Sequence, residues 1–325
     1  MIHPRDMRSG RFTIKAPGKI NLFLEVFGRR PDGYHDVKSL LAHVSLCDVL
    51  TLERTSGPIK TTMEFGDIPL WSGLGQPLAN KDNLATRSAM ALRKATGYRG
   101  GARIHVAKHI PICGGLGGGS ADAAATLRGL NRLWQTGLTT EDLCVIASKL
   151  GSDVPAMVHG GMVLLEGMGE IVEPVPVDRT RAGAGRDVVI VNPGFRVSTR
   201  DICDRYRYKR SLTSARGQFR RMVRAAEKQD IETISRGLFN SLERIVFKKY
   251  PLIEVISEGL KKAGARGVLL SGSGASVFAL ADSKRHAGAI AAEIGRAMGP
   301  WLWVRVAKIL PDGVTAAHGP LEARV

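Results

Sequence analysis

Apolar and polar residues alternate along "RFTIKAPGKINLFLEVFGRR", Arg11 to Arg30, on both sides of Pro17 and Gly18, which interrupt the run. That pattern predicts two strand segments with a break between them. "DGYH", Asp32 to His35, reads as a turn, and "DVLTLER", Asp48 to Arg54, as a further strand. From Asn83 the period lengthens, because Leu84, Ala85, Ala89, Leu92 and Ala95 recur at steps of three and four. A helix is predicted there, stopped by Gly97. "GARIHVAKHIP" returns to strand-like alternation, and "PICGGLGGGSADAAATLRGLNRLW", Pro111 to Trp134, follows it. Five glycines fall in the six positions Gly114 to Gly119, directly before a helix whose Ala123, Ala124, Leu127, Leu130 and Trp134 share one face. Another helix is predicted around Glu141 to Leu150, then short strands after "SDVPAMVHGG" and a small-residue loop, "PVDRTRAGAGRD", Pro176 to Asp187. The remainder reads as a strand, "DVVIVNP", helices over Ser214–Gln229, Asp230–Leu242 and Leu252–Ala263, and strands in "GVLLSGSGASVFALA" and "WLWVRVAKIL". No internal repeat breaks this order, which is mixed α+β without the regular alternation of a doubly wound sheet.

Composition changes the picture in three ways. A chain of 325 residues with 44% hydrophobic content can build two cores, so disorder is excluded, and a change of domain is expected near Gly161. The longest apolar runs, near Val188 and Val277, fall far short of the roughly 20 residues of a bilayer span, so no membrane partner is expected. No apolar segment follows the charged N-terminus, and Cys47, Cys113, Cys144 and Cys203 are too scattered for a metal motif or a disulfide framework. They read as reduced, mostly core thiols in a cytoplasmic protein. The formal charge of +17 raises two anionic partners, nucleic acid and a phosphorylated small molecule. In the densest basic stretch, Arg196 to Lys249, Arg220, Arg221 and Arg224 stand at helical spacing, fitting either a solvated face or an anion-attracting one.

The glycine-rich loop carries the chemistry. Glycines let backbone N–H groups converge and keep Cβ atoms away from a ligand, while the start of a helix offers free donors and a positive dipole end. Ser120 is placed to cap that helix or to reach a phosphate or its metal. The loop lacks the Gly-Lys-Ser/Thr ending of a Walker A loop, and no register accommodates G-x-G-x-x-G. His105 and His109 stand four apart in a strand-like segment without the glutamate of a zinc motif, so no metal site is assigned.

"PICGGLGGGSADAA" resembles the second motif of the GHMP kinases; "APGKINLFLEVFGRRPDGYHDV" resembles the first and "LLSGSGASVFAL" the third. The resemblance spans about Ala16 to Leu280. It implies the two-domain GHMP kinase fold, an ATP-binding half over 1–162 and a substrate half over 163–325, with the active site in the cleft between them. It also implies ATP as co-substrate and Mg²⁺ held through phosphate oxygens and water. Within the superfamily, "GRRPDGYH", "LGSDVP" and "SGSGASVFAL" fit the branch whose small-molecule substrate is a cytidyl diphosphate. A homoserine or mevalonate type is the alternative, and Tyr34 and His35 distinguish them, since those substrates have no nucleobase. A nucleic-acid-binding protein is a remote third reading; nucleic acid is not the expected partner, and the sequence assigns no oligomeric state.

Residue by residue, the resemblance makes Lys19 and Asp153 the catalytic pair; without it, an ordinary helix cap before Pro155 is the better reading of Asp153. ATP is expected at Asn83, Lys108, Pro111, Gly114, Gly115, Leu116, Gly117, Gly118, Gly119, Ser120 and Ala121. Substrate is expected at Asn21, Tyr34, His35, Ser198, Thr199, Gly272, Ser273 and Gly274. Asp122 stands where some relatives carry asparagine. Cys203 and Asp204 stand near the place of a second aromatic ring on the cytosine, with Tyr206 the nearest ring.

Overall fold

A computed structural model describes residues 10–69, 82–178, 187–206 and 215–311. The first strand, β1 (Arg11–Arg29), runs unbroken through Pro17 and Gly18 and pairs antiparallel with β2 (His35–Thr55). The expected break is instead a slip in pairing between Pro17 and Lys19, which re-aims the lysine without ending the strand. β2 is far longer than the segment predicted from Asp48. Its first half is a buried run from Leu40 to Val44, apolar except for His43, and such a run shows no alternation.

β3 (Lys60–Phe65) pairs parallel with β4 (Gly101–Lys108), which pairs antiparallel with β2. Between them lies α1 (Leu84–Thr96), ended by Gly97 in the left-handed conformation. Three helices follow, α2 (Gly118–Leu133) and α4 (Val154–His159) packed on the strands and α3 (Thr140–Ser148) packed on the other helices. The alanine-rich face of α2 is buried against Leu50, Leu52, Ile104 and Leu92 in one core, and Trp134 stacks on Tyr98 with centroids 4.5 Å apart.

β5 (Met162–Glu166) returns to β2 and β6 (Ile171–Pro174) pairs with β5. The loop predicted over Pro176–Asp187 lies, from 179 to 186, outside the described residues. A second group of strands follows: β7 (Asp187–Asn192), β9 (Gly267–Leu270), β10 (Val277–Ala281) and β11 (Trp303–Leu310) in the order β11-β7-β10-β9. Only Ile309 and Leu310 of β11 pair with β2, so a short seam joins the two groups.

The helices of this half are α5 (Thr199–Arg205), α6 (Ala215–Glu227), α7 (Ile231–Gly237), α8 (Glu243–Lys249), α9 (Pro251–Lys262) and α10 (Lys284–Met298). The single helix expected over Asp230–Leu242 is not formed. It stops at Gly237, and Phe239–Asn240 becomes β8, laid parallel to β1 at Phe23 and Leu24. Phe239 packs on Phe23 there, centroids 5.1 Å apart, a tertiary contact that outweighs local helix preference. Arg220, Arg221 and Arg224 are exposed on α6, whose Phe219, Met222 and Ala226 are buried. The cysteines differ from expectation: all four are free, but none is fully buried and Cys113 is exposed. Among the described residues no helix is long and apolar enough to cross a membrane.

Candidate active site

The three glycine-bearing segments meet around Lys19. The slip in β1 lets the Lys19 N–H donate to the Leu116 carbonyl at 2.9 Å, tying the first segment to the second. Between the second and third, Ser276 N–H donates to Gly114 O and Ser271 Oγ to Gly115 O, each at 3.0 Å. Gly115 has φ +78°, and a Cβ there would run into the Ser271 carbonyl. Gly117 has φ +68°, and its Cβ would lie 2.9 Å from Lys19 Cγ. Both positions therefore need glycine for conformation as well as for space. From the far side, a Cβ on Gly272 would stand 3.3 Å from Lys19 Nζ.

Lys19 is thus a buried cation packed among backbones. Its Nζ donates to Asn21 Oδ1 at 2.7 Å and lies 3.6 Å from Asp153 Oδ2, with side chains 6% and 36% exposed respectively. Asn21 is held in turn by Ser39, whose Oγ accepts from Asn21 Nδ2 at 2.9 Å and donates to Phe23 O at 2.7 Å. Asp153 stands at the start of α4 but its carboxylate makes no capping bond. It is free to face Lys19. Opposite Lys19 on β2, burial drives the His43 imidazole down to about 4, with Lys19 and Arg128 adding to the fall, so the ring is neutral.

The helix after the loop begins three residues earlier than a Ser120 cap would place it. Gly117 occupies the capping position of α2 and Ser120 lies inside the first turn, so the serine does not cap. The first intrahelical bond runs from Ala121 N–H to Gly117 O, 2.8 Å. Helix geometry leaves the N–H groups of Gly118, Gly119 and Ser120 without an intrahelical acceptor, at the positive end of the dipole. Pro111 and Leu116 are buried beneath the loop.

Two residues expected at the nucleotide have partners within the protein. Asn83 caps α1, accepting from Ala85 N–H at 2.8 Å, and its amide donates to Met63 Sδ at 3.0 Å. Lys108 is buried between Asp48 and Asp122, which hold its ammonium. Burial alone would lower its pKa, but the two carboxylates outweigh that and raise it.

The expected substrate residues fall in two places. Thr199 and Ser273 bring their hydroxyls within 2.7 Å, joining the start of α5 to the third glycine segment. Ser198 caps α5 through Asp201 N–H. Gly274 donates its N–H to Ser271 O at 3.0 Å. Asn240, which sequence patterning does not single out, donates to the Leu270 and Gly272 carbonyls at 2.9 and 2.7 Å and so sets the third segment. Asn192 does the same service through Ser276 Oγ at 2.8 Å.

Tyr34 and His35 occupy a separate turn. Arg30 N–H donates to Tyr34 O, Arg30 pairs with Asp32 and Asp36, and Tyr34 N–H donates to Asp32. The Tyr34 ring is 65% exposed. His35 Nδ1 donates to Phe27 O at 2.9 Å, fixing the ring with Nε2 turned elsewhere. Tyr206 lies edge-on to it, centroids 6.1 Å apart. Among the described residues no cluster of three histidines, cysteines or carboxylates could hold a metal ion.

The N-terminal domain model of the GHMP kinases matches residues 83–161, and the C-terminal model matches residues 222–300. A 4-diphosphocytidyl-2-C-methyl-D-erythritol kinase from Geobacillus kaustophilus is 40% identical over 274 residues, covering 84% of this chain and 89% of that one. The protein of the same name from Pelotomaculum thermopropionicum is 40% identical over 289 residues, 87% of this chain and 94% of its own. A crystal structure of 4-(cytidine 5'-diphospho)-2C-methyl-D-erythritol kinase superposes with a TM-score of 0.68 at 32% identity, over 91% of this chain and 99% of that chain. A homoserine kinase from Cytophaga hutchinsonii superposes with a TM-score of 0.75 at 21% identity, over 94% of this chain and 96% of that chain, a likeness of fold alone.

Proposed function

The chain belongs to the 4-diphosphocytidyl-2-C-methyl-D-erythritol kinase family of the GHMP kinases, enzymes that phosphorylate an alcohol with ATP, and we propose its reaction in full. It transfers the γ-phosphoryl group of ATP to the 2-hydroxyl of 4-diphosphocytidyl-2-C-methyl-D-erythritol, in non-mevalonate isoprenoid precursor synthesis in the cytoplasm. One observation carries this reading: Lys19 and Asp153 face each other at 3.6 Å where all three glycine segments converge.

Phosphoryl transfer demands positioning, charge neutralisation and removal of the nucleophile's proton. Asp153 is the group for the proton, accepting it from the 2-hydroxyl as the oxygen attacks. Lys19, 3.6 Å from that carboxylate, stabilises negative charge on the transferring group. The glycine segment from Gly114 to Gly119 and the first turn of α2, with Ser120 and Ala121, wrap the nucleotide phosphates with backbone donors. Ser120 would be the side chain nearest a Mg²⁺ ion carried in with the nucleotide, and that ion would supply charge neutralisation. Asn21, braced by Ser39, orients the alcohol. Tyr34 stacks on the cytosine while His35 offers it a hydrogen bond. Ser198, Thr199 and the Gly272–Gly274 segment line the path of the diphosphate. The halves 1–162 and 163–325 are the two walls of this cleft.

The test is ADP release by the full chain with ATP, Mg²⁺ and the cytidyl substrate, with mevalonate and homoserine in parallel. Turnover is expected with the cytidyl substrate alone. Turnover with homoserine or mevalonate would overturn the substrate, and turnover with none of the three would overturn the reaction.

A further inference from the structure

Pairing between β2 and β4 ends at Val49 and Ala107, where the chain turns away toward the glycine loop. Beyond that point the backbone N–H groups of His109 and Ile110 donate to a side chain, Asp48 Oδ1, at 2.6 and 2.8 Å. The other Asp48 oxygen accepts from Lys108 Nζ and stands 3.4 Å from where a Cβ on Gly118 would be. Lys108 also donates to Asp122 Oδ2 at 2.6 Å, in the second turn of α2. Asp48 is 0% exposed, and its ammonium partner Lys108 is buried with it. One carboxylate therefore holds the backbone before the loop and lies against the first residue of the helix after it. Asp48 also pairs with Ala16 on β1, beside the slip that re-aims Lys19.

A buried carboxylate is costly where packing is the only need, since apolar residues would fill the space without desolvating a charge. This one satisfies two backbone donors that the sheet leaves behind. We propose that Asp48 is a positioning residue for the phosphate-wrapping loop, fixing both of its ends so that its N–H groups converge on one anion. The inference rests on the reading that this loop holds ATP. Asp122 plays a different part: its side chain shares Lys108, and among the described residues no hydrogen bond runs from it to the loop backbone.

That difference supplies a matched pair of variants. Asp48→Asn and Asp122→Asn each replace one buried carboxyl group by an amide of the same size and each leave Lys108 with the other carboxyl group. The wild type and both variants are titrated calorimetrically, as full chains, with Mg²⁺ and adenylyl imidodiphosphate, and KM for the cytidyl substrate is measured beside them. Asp48→Asn is expected to weaken nucleotide binding by about tenfold or more, and Asp122→Asn by less than about threefold. KM for the alcohol stays within about twofold in both, which a general structural defect would not allow. Equal weakening in the two variants, or nucleotide binding by Asp48→Asn within about twofold of wild type, overturns the inference. Failure of the wild type to bind the analogue marks instead the fall of the ATP reading, and the inference with it. Wild-type hydrogen exchange adds a check independent of any variant's folding: the His109 and Ile110 amides should exchange as slowly as those within β4, and exchange at loop rates refutes the clamp.

Discussion

The glycine-loop side of the cleft and the Arg30–His35 turn are built on opposite principles. Around Lys19, backbone carbonyls and amides from three distant segments bond directly to one another, and buried Asn21, Asn192 and Asn240 brace them. Around Tyr34, a short surface loop is held by Arg30 with Asp32 and Asp36, all partly or largely exposed to water. Electrostatic interactions are strong where water is excluded and weak where it is not. The comparison teaches that the region assigned to phosphoryl transfer is rigid and intolerant, while the region assigned to the nucleobase is adjustable.

The contrast breaks most visibly at Gly115. Gly115→Ala adds a Cβ where the Ser271 carbonyl stands and imposes a strained φ, so turnover should fall by about 10²-fold or more in an ADP-release assay. A loss below tenfold would mean that the segments do not hold one another. On the other side, Tyr34→Ala removes a ring that other protein groups hardly touch. KM for the cytidyl substrate should rise by about 3- to 10-fold, with kcat and KM for ATP little changed. A fall in kcat without a change in KM would place Tyr34 in the wrong half of the comparison. The smallest effect sought is on stability rather than rate. Burial pushes the Asp122 carboxyl up to about 7, Lys108 opposing and Asp48 adding to the rise. The folded chain then holds that proton more tightly than the unfolded chain, so this group's stabilisation is complete below its ordinary 3.8 and is lost as pH rises to about 7. Asp122→Asn should flatten that decline: its Tm relative to wild type rises between pH 4 and 7. An unchanged difference across that window would show that Asp122 does not titrate there.

How far sequence reaches follows the same division. The glycine segments, the buried face of α2 and the helices α6 and α9 were legible, because each is written in consecutive residues through spacing and local preference. β8 was not, since Phe239 and Asn240 leave the helical pattern only on meeting β1, more than two hundred residues earlier in the chain. A serine before an alanine run is the ordinary cap, so local spacing points to Ser120, whereas the left-handed Gly117 takes that role here. For Lys108 the resemblance offers a place at ATP but no sign of its ion pair, because Asp48 lies sixty residues away in the chain. Nothing in "LCDVL" distinguishes Asp48 from a polar residue on an exposed strand face. Its importance is a property of the tertiary fold, as is that of Asn192 and Asn240.

The most direct test of the account is single-turnover phosphoryl transfer in Asp153→Asn beside the wild type, with enzyme saturated by ATP, Mg²⁺ and 4-diphosphocytidyl-2-C-methyl-D-erythritol. Asparagine keeps the size and polarity of the side chain but cannot take the proton or pair with Lys19. The rate of transfer should fall by about 10²- to 10⁴-fold while the affinities for both substrates stay within about threefold. A variant that transfers phosphate at a rate within a few-fold of wild type would contradict the account, and the Lys19–Asp153 pair would then be structural.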